Sequence, residues 1–386
     1  MKYWISYLVA AVFAVLTMAL TSFAETHTAL MDMIYPYISR LIMTTMAEWS
    51  AGGGLVYRKV LIWCIVCGSI FFAMICVFKW NLIQWIGWAL AAVSLGVMIN
   101  TGIYELNAYT SPLADDMRLE VTSYTISELS EAATYYRDEA NKLALTVPRD
   151  GTGKPQFGTF EELALQAGDG FETMTYDKAV SVFAGSTVPV KEQQWFIEDG
   201  VSGMTVPLTG ESVVNPNVPT VALPFAMCKE MAHRMCIYSE IDANFAAFLT
   251  ASNNESLAFR YSAYVMAYYY CYEAMSNIGT STAQACAQKL EKGVSALVMQ
   301  DLQECRDFYR QTPDEAKNKL ADIPLEEKSD LLTFSRYTST TDLLASWYIQ
   351  EYILPKHSEE EVQFDPYDPT QVDLSGIVNA PTAVIP

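Results

Sequence analysis

The chain has 386 residues, a mass of 43.1 kDa and a formal net charge of −20, from 44 acidic and 24 basic residues. Hydrophobic residues make up 51% of it, charged residues 18%, and the mean hydropathy is +0.14. This composition excludes a disordered chain, which would be poor in apolar and aromatic residues, and it argues against nucleic-acid binding, which needs an excess of Lys and Arg. It indicates a membrane protein with an acidic soluble part.

The apolar residues and the acidic residues are segregated along the chain. Residues 1–100 hold 5 basic and 3 acidic residues, whereas residues 101–386 hold 19 basic and 41 acidic ones. The first hundred residues therefore carry the membrane signal. An acidic domain is repelled by anionic lipid and by nucleic acid, so we expect residues 101–386 to stay soluble. Such a domain could bind a basic partner or dilute cations.

The N-terminus is typical of an export signal. Lys2 precedes an apolar run, and Ser22 and Ala24 stand three residues and one residue before a break at Glu25. A short basic start, an apolar core and small residues before a cleavage site describe a signal peptide. An uncleaved first membrane helix is the alternative, because the run is nearly long enough to span a bilayer. Both alternatives place residue 25 outside the cytoplasm.

Two further apolar stretches follow, Val60–Phe78 and Leu82–Ile99. Each is close to the length that spans a bilayer core, and the short link between them predicts a helical hairpin. Lys79 in this link marks a cytoplasmic tip under the positive-inside rule, although two basic residues before the first stretch oppose that orientation. Because an export signal acts first, we expect the chain after the hairpin to lie outside the cytoplasm.

Residues 25–50, between the signal and the hairpin, show an amphipathic pattern. Apolar residues recur there at steps of three and four, which predicts a helix: Leu30, Met33, Ile34, Tyr37, Ile38, Leu41, Ile42 and Met46. Such a helix either lies at a membrane interface or partner surface, or packs on the protein's own hairpin. We favour packing on the hairpin. Three glycines at 52–54 predict a hinge.

The remaining chain predicts a mainly α fold. The predicted segments are a signal peptide or first membrane helix (1–24), an amphipathic helix with a glycine hinge (25–58), a transmembrane hairpin (59–103), a helical stalk (104–146), a Gly/Pro-rich irregular segment (147–220), a helical extracytoplasmic domain (221–354) and a disordered acidic tail (355–386). Within them, the residue patterns predict helices near 113–146, 222–251, 255–277, 281–311 and 325–353, and short strands near 181–190 and 201–208.

Five cysteines in the helical domain are disulfide candidates if the domain is exported: Cys228, Cys236, Cys271, Cys286 and Cys305. The first two are eight residues apart, about 12 Å along a straight helix, which is too far for one bridge. Each therefore needs a partner on another helix, and an odd number leaves one thiol unpaired or paired between chains. The alternative is a set of buried, reduced thiols.

Catalytic motifs are sparse. Cys64 and Cys67 form a C-x-x-C that is similar to the redox pairs of membrane oxidases which reoxidise disulfide catalysts, although cysteine is also an ordinary small apolar residue in such helices. Cys228, His233 and Cys236 share one predicted helix, but a zinc site needs a second clustered pair of ligands. The sequence contains no H-E-x-x-H, P-loop, dinucleotide-binding or G-x-S-x-G motif. We therefore predict no catalytic residue, cofactor or metal.

A dense group of tyrosines forms a stripe at helical spacing: Tyr261, Tyr264, Tyr268 and Tyr272. Tyrosine is favoured at protein interfaces, so the stripe is a candidate contact surface. Burial against neighbouring helices is the alternative, and we give it more weight.

One short string carries a family resemblance. Val214–Pro219, followed by Val221–Pro224 at the start of a predicted helix, resembles the segment after the membrane helices in the N-terminal region of conjugative mating-pair stabilisation and type IV secretion inner-membrane proteins. The downstream cysteines are similar to that region as well. The resemblance implies a contact with a partner cell or a secretion channel.

These observations predict a membrane-anchored structural or docking subunit of a multiprotein cell-envelope complex, in the inner membrane with a periplasmic domain. Its expected partners are other envelope proteins, the lipid bilayer and further copies of itself, and nucleic acid is not expected. Two alternatives stay open: a thiol–disulfide oxidoreductase using Cys64 and Cys67, and an extracytoplasmic receptor with a ligand-sized pocket.

Overall fold

The computed structural model describes residues 4–53, 56–78, 82–121, 123–172, 188–193, 199–311 and 337–355. The prediction of a mainly α fold is confirmed. Lys79 at the predicted hairpin tip and the predicted acidic tail beyond Pro355 lie outside the described residues.

The helices, in chain order, are α1 (Trp4–Thr26), α2 (Thr28–Ala51), α3 (Tyr57–Phe78), α4 (Leu82–Ile103), α5 (Leu113–Asp116), α6 (Ile126–Ala144), α7 (Phe160–Gln166), α8 (Asp169–Glu172), α9 (Leu223–Arg234), α10 (Glu240–Ser252), α11 (Leu257–Asn277), α12 (Ser281–Lys292), α13 (Ala296–Tyr309) and α14 (Thr340–Tyr348). A 3-10 helix spans Glu105–Tyr109, and a π-helical turn, Ile349–Ile353, follows α14. The strands are β1 (Lys191–Glu192), β2 (Gly203–Val206) and β3 (Glu211–Val214).

Three helices, α1, α3 and α4, are long and apolar enough to cross a membrane, and the protein is a membrane protein on that basis. Helices α1 and α4 run parallel, since the Tyr7 hydroxyl donates to the Ile83 carbonyl at 2.8 Å near the start of both. A Cβ atom added to Gly87 would lie 2.1 Å from Ser6 Oγ, so the two backbones approach closely there. The C-terminal ends of α1 and α4 therefore lie on the same side as the soluble domain.

Helix α2 covers the junction between the membrane helices and the soluble domain. Its buried residues recur every four positions on one face: Met31, Tyr35, Ser39, Met43 and Ala47. The Tyr35 hydroxyl donates to the Gly102 carbonyl at 3.0 Å, at the end of α4. Near its other end, α2 contacts the turn between β2 and β3. We predicted that α2 packs on the membrane hairpin, and in the structure this packing is limited to the end of α4. The soluble domain covers much of the remaining buried face of α2.

Helix α2 lies in the chain between two of the candidate membrane helices. Helix α1 ends two residues before α2 begins, and α3 begins at Tyr57, whose backbone N–H donates to the Glu211 carboxylate of β3 at 2.5 Å. A 24-residue helix is about 36 Å long. The chain therefore leaves α1 at one end of α2 and reaches α3 beyond the other end, beside the soluble domain.

The soluble core is built around α11, which packs against α6, α9, α10, α12, α13 and α14. Helix α6 begins with a capping box, in which the side chain of Thr125 accepts from the Glu128 N–H and the Glu128 side chain accepts from the Thr125 N–H. Tyr136 and Ala140 of α6 are fully buried against this core. The segment predicted as a stalk (104–146) is therefore part of the core, because its apolar face is covered by α11.

Three predicted helices are each divided in the structure. The 222–251 segment is α9 and α10, separated by a turn in which Cys236 has φ +71°. No glycine or proline marks this break. A non-glycine residue seldom adopts this left-handed conformation, so the residue pattern did not predict the turn. The 281–311 segment is α12 and α13, with Gly293 at the end of α12. The predicted helix at 113–146 is interrupted between α5 and α6.

The Gly/Pro-rich segment contains a small sheet in the order β1-β3-β2, with β1 parallel and β2 antiparallel to β3. Strand β2 falls within the predicted strand 201–208, whereas 181–187 of the other predicted strand lies outside the described residues. The string that carries the family resemblance begins at the end of β3 and leads into α9. The sheet therefore rests against the most buried helix of the domain.

Candidate functional site

A cluster of four charged side chains lies on and beside α9; we call it the α9 charge cluster. Its members are Lys229, Glu230, His233 and Glu240. Helix α9 has Pro224 in its first turn, where proline needs no N–H partner, and every residue from there to Arg234 is buried. Lys229 and His233 are four residues apart, so they share one face of the helix. The charges are therefore held inside the domain on a rigid element.

Glu240 joins the two α9 side chains. One of its carboxylate oxygens lies 3.2 Å from Lys229 Nζ and the other 3.2 Å from His233 Nε2. Lys229 Nζ also lies 3.2 Å from Glu230 Oε1. The side chains of Lys229, Glu230 and His233 are 10%, 1% and 8% exposed, whereas that of Glu240 is 66% exposed. The cluster is thus buried on its α9 side and open to solvent at Glu240.

The turn after α9 orients the histidine. His233 Nδ1 lies 2.9 Å from the Ile237 carbonyl, which can only accept, so Nδ1 carries the proton of this hydrogen bond. The same turn, through the left-handed Cys236, reverses the chain and starts α10 at Glu240. His233 Nε2 therefore faces Glu240, and the chain reversal brings Glu240 to the cluster.

Strand β2 holds the buried carboxylate in place. Thr205 Oγ1 donates to the Glu230 backbone carbonyl at 3.0 Å and lies 3.3 Å from Glu230 Oε2. Ser212 of β3 donates to the same carbonyl at 2.8 Å. At Gly203 an added Cβ would lie 2.7 Å from Glu230 Cγ, so only a glycine admits the strand this close. The small sheet thus positions the α9 charge cluster.

The charges of the cluster stabilise one another. Burial alone would lower the pKa of Lys229, but the carboxylates of Glu240 and Glu230 outweigh it and raise the pKa. The Lys229 charge is the largest cause of the lowered pKa of Glu240. Burial also lowers the pKa of His233, yet the Glu240 hydrogen bond and the two carboxylates raise it overall. The arrangement therefore favours the charged forms of Lys229, His233 and Glu240.

The predicted disulfide cysteines are all free thiols in the structure. Cys228, Cys236, Cys271 and Cys305 are buried and Cys286 is half-buried. Cys228 lies on α9 and Cys236 just after it, and the other three lie on α11, α12 and α13. The structure gives the predicted bridges no support. Burial raises the pKa of Cys228 to about 12, so this thiol is protonated at neutral pH. Cys236 Sγ lies 3.1 Å from Ser39 Oγ of α2.

The tyrosine stripe lies in the core. Tyr261 and Tyr268 are fully buried, and Tyr264 and Tyr272 are partly buried against the same cluster. The stripe therefore packs against neighbouring helices, in line with the alternative given more weight, and offers little surface to a partner. Tyr261 has a second role, because its hydroxyl is bonded to the buried Arg149–Asp301 ion pair.

The C-x-x-C pair lies on α3, where Cys64 and Cys67 are both exposed within the membrane-spanning stretch. As residues three apart on one helix they share a face. The structure places no other cysteine of the described residues beside them as a free exchange partner: the third cysteine of α3, Cys76, is nine residues further along.

A cavity of about 690 Å³ lies between α2, α5 and the turn after α9. Arg40, Asn107, Asp116, Cys236 and Asp242 are among its lining residues. Burial is the largest cause of a raised pKa for both Asp116 and Asp242, to about 6 in each case. This is the kind of ligand-sized pocket that the receptor alternative requires.

Sequence reasoning did not single out Lys229, Glu230 or Glu240. Residues 229–233 differ from the H-E-x-x-H motif at the first position, where lysine stands. This near match to the motif is the signal that marks the string in the sequence. No sequence signal marks Glu240, because its contacts with Lys229 and His233 depend on the turn at 235–239, which contains no glycine or proline. Among the described residues, no group of three or more His, Cys, Asp or Glu is arranged to hold a metal ion.

The chain was compared with known families, curated proteins and solved structures. The profile of the family described as "Protein of unknown function (DUF3810)" matches residues 31–337. The chain belongs to this family. The matched region includes most of α2, the helices α3 and α4, and the α9 charge cluster. No curated protein and no solved structure matches the chain.

Proposed function

We propose that the chain is a membrane-anchored structural or docking subunit of a multiprotein cell-envelope complex, with its domain on the extracytoplasmic side of the inner membrane. The observation that carries this proposal is the outer face of α2. Six large apolar side chains on that face are 41–69% exposed: Leu30, Met33, Ile34, Tyr37, Ile38 and Leu41. The opposite face is fully used by contacts with α4 and the domain, so the outer face is available to a partner.

The composition of this face suits a protein partner. Methionine and tyrosine are enriched at protein interfaces, and charged residues are depleted at their centres. Asp32 and Arg40, the charged residues within this part of α2, are turned to other groups: Asp32 accepts from the Ser111 N–H at 2.8 Å, and Arg40 donates to the Met235 carbonyl at 3.3 Å. The occupant we propose is an apolar juxtamembrane segment of another envelope protein.

The resemblance of residues 214–224 to conjugative mating-pair stabilisation proteins supplies one specific candidate. The complex would then be a conjugation or type IV secretion assembly. This candidate rests on a short string at the β3–α9 junction, and the partner proteins recovered by purification would identify the machine.

Co-purification in mild detergent, with a tag at the C-terminus and identification by mass spectrometry, tests the docking role. We expect a stable set of envelope proteins with the unmodified chain. The set should be lost with Leu41→Gln, on the outer face of α2, and kept with Leu165→Gln, on α7. The two leucines are 69% and 68% exposed, so neither substitution opens the core. Recovery of the chain alone, or the same partners with both variants, would overturn the proposal.

The thiol–disulfide oxidoreductase alternative is favoured by the exposure of Cys64 and Cys67 on α3. It predicts that replacing either cysteine with serine abolishes thiol oxidation by the purified chain. The docking role predicts that both variants keep the full set of partners. A measured activity that depends on these cysteines would replace the docking proposal.

A further inference from the structure

We infer that the α9 charge cluster corresponds to an H-E-x-x-H site that holds no metal ion, because Lys229 replaces the first histidine and its ammonium takes the place of the ion. In an H-E-x-x-H helix, the two histidines bind zinc, the glutamate between them acts as a base, and a downstream glutamate can complete the ligand set. Residues 229–233 supply the glutamate, as Glu230, and the second histidine, as His233. Glu240 occupies the position of the downstream ligand.

The position of Lys229 fits this assignment. Its Nζ atom lies 3.2 Å from carboxylate oxygens of both Glu230 and Glu240. A lysine side chain reaches about as far from the helix as a histidine ring plus one Zn–N bond, which is about 2 Å long. The ammonium therefore sits where an ion bound by a histidine at this position would sit, among the groups that would face it.

The orientation of His233 is that of a metal ligand. Ligating histidines almost always donate their other ring N–H to a carbonyl or carboxylate, which fixes the ring. His233 Nδ1 has this partner in the Ile237 carbonyl at 2.9 Å, and Nε2 faces the centre of the cluster. In place of a metal bond, Nε2 lies 3.2 Å from Glu240 Oε1.

The charge balance also fits. A zinc ion with two neutral histidines would set two positive charges against the carboxylates of Glu230 and Glu240. In this chain, the Lys229 ammonium sets a positive charge against the same two carboxylates, at 3.2 Å from each. The lysine therefore keeps a positive charge at the centre of the cluster while removing one ligand and occupying the space of the ion. The same contacts join α9 to α10 through Glu240.

The test restores the missing ligand in the full-length chain and supplies Zn²⁺ alone. The variants are Lys229→His and Lys229→Cys, since both side chains bind zinc and they differ in size. We expect each to hold about one zinc per chain after gel filtration, at least 100-fold more tightly than the unmodified chain, and to melt at a higher temperature with zinc than without it. Cobalt in place of zinc should give the visible absorption bands of a four-coordinate site.

Two controls separate a built site from incidental binding. Lys142→His, on the exposed surface of α6, should bind no more zinc than the unmodified chain. Adding Glu240→Gln to Lys229→His should weaken zinc binding at least tenfold. If either variant at position 229 is unstable alone, zinc present during extraction should restore its folded yield. The inference would be overturned if zinc neither binds to nor restores the folded yield of either variant at position 229. Tight zinc binding by the unmodified chain would overturn it as well.

Discussion

Several buried charges of this protein are held by dedicated partners. Arg149 Nη2 lies 2.8 Å from Asp301 Oδ2 and donates to the Tyr261 hydroxyl at 2.9 Å. The side chains of Arg149 and Asp301 are 10% and 2% exposed. This network ties the segment after α6 to α11 and α13. Removing one partner of a buried pair leaves the other charge uncompensated, which costs more than the pair itself contributes.

We therefore expect Asp301→Ala to lower the free energy of unfolding by about 3–5 kcal/mol, because Arg149 stays buried without its carboxylate. Denaturant unfolding in detergent measures this. Asp307→Ala is the matched control, since its partner Arg310 lies 3.6 Å away and both side chains are more than half exposed. It should lose less than about 1 kcal/mol. Equal losses in the two variants would contradict a structural role for the buried network.

Asp242 gives the fold a pH dependence of opposite sign to that of a salt-bridged carboxylate. Burial is the largest cause that raises its pKa, to about 6, although Tyr337 donates a hydrogen bond to it. The folded state therefore binds a proton more tightly than the unfolded state does. Stability from this residue is greatest below the unfolded pKa of about 4 and falls as the pH rises towards 6.

Asp242→Asn should remove this penalty. We expect the variant to be more stable than the unmodified chain at pH 7.5, by about 1–3 kcal/mol for a shift of about two pKa units, and about equally stable at pH 4. Melting temperatures at the two pH values measure the difference. Asp150→Asn is a control of opposite sign, because hydrogen bonds from Thr152 and Lys154 lower the pKa of Asp150. A variant at 242 that is destabilised at pH 7.5 would contradict the argument.

At the same scale, the sequence reveals the chemistry of the candidate site only in part. Lys229, Glu230 and His233 form a string that differs by one residue from a metal-binding motif, and this similarity can be found without a structure. The participation of Glu240 cannot, because it depends on a left-handed residue at Cys236. Propensities and periodicity describe ordinary backbone conformations, so an unusual one escapes them.

Among the elements, the long apolar helices and α2 were predictable because their patterns extend over 20 or more residues. The helices of the soluble domain were predicted as helices, but the breaks within them were not. The breaks at 235–239 and near Gly293 depend on tertiary contacts, which the residue pattern does not show. The role of α6 was misread as a stalk, because an amphipathic pattern shows that one face is covered but not what covers it.

The contact between α1 and α4 gives a test at the level of elements. Gly87→Leu should separate these helices and lower the melting temperature in detergent, because an added Cβ would lie 2.1 Å from Ser6 Oγ and 2.9 Å from a Tyr7 ring carbon. Gly96→Leu, on the same helix, is the control, since nothing lies within 4 Å of its added Cβ. Equal melting temperatures for the two variants would mean that α1 does not pack on α4, as expected if α1 is cleaved as a signal peptide.

For the whole molecule, the parallel course of α1 and α4 determines the topology. The start of α1 lies on one side of the bilayer, and the end of α4 and the soluble domain lie on the other. We expect a reporter fused at the N-terminus and one fused at the C-terminus to give opposite results, with alkaline phosphatase active only at the C-terminus. A C-terminal fusion that is active in the cytoplasm would reverse the proposed orientation while leaving the three spans in place.

The close approach of the sheet to α2 determines how the domain and the membrane helices are joined. A Cβ added to Gly210, which has φ +65°, would lie 2.4 Å from the backbone of both Met43 and Ala47. The backbone N–H of Tyr57, at the start of α3, donates to the Glu211 carboxylate beside it. The domain therefore meets α2 and α3 through packed contacts, and a shift of either helix would be passed on to the small sheet.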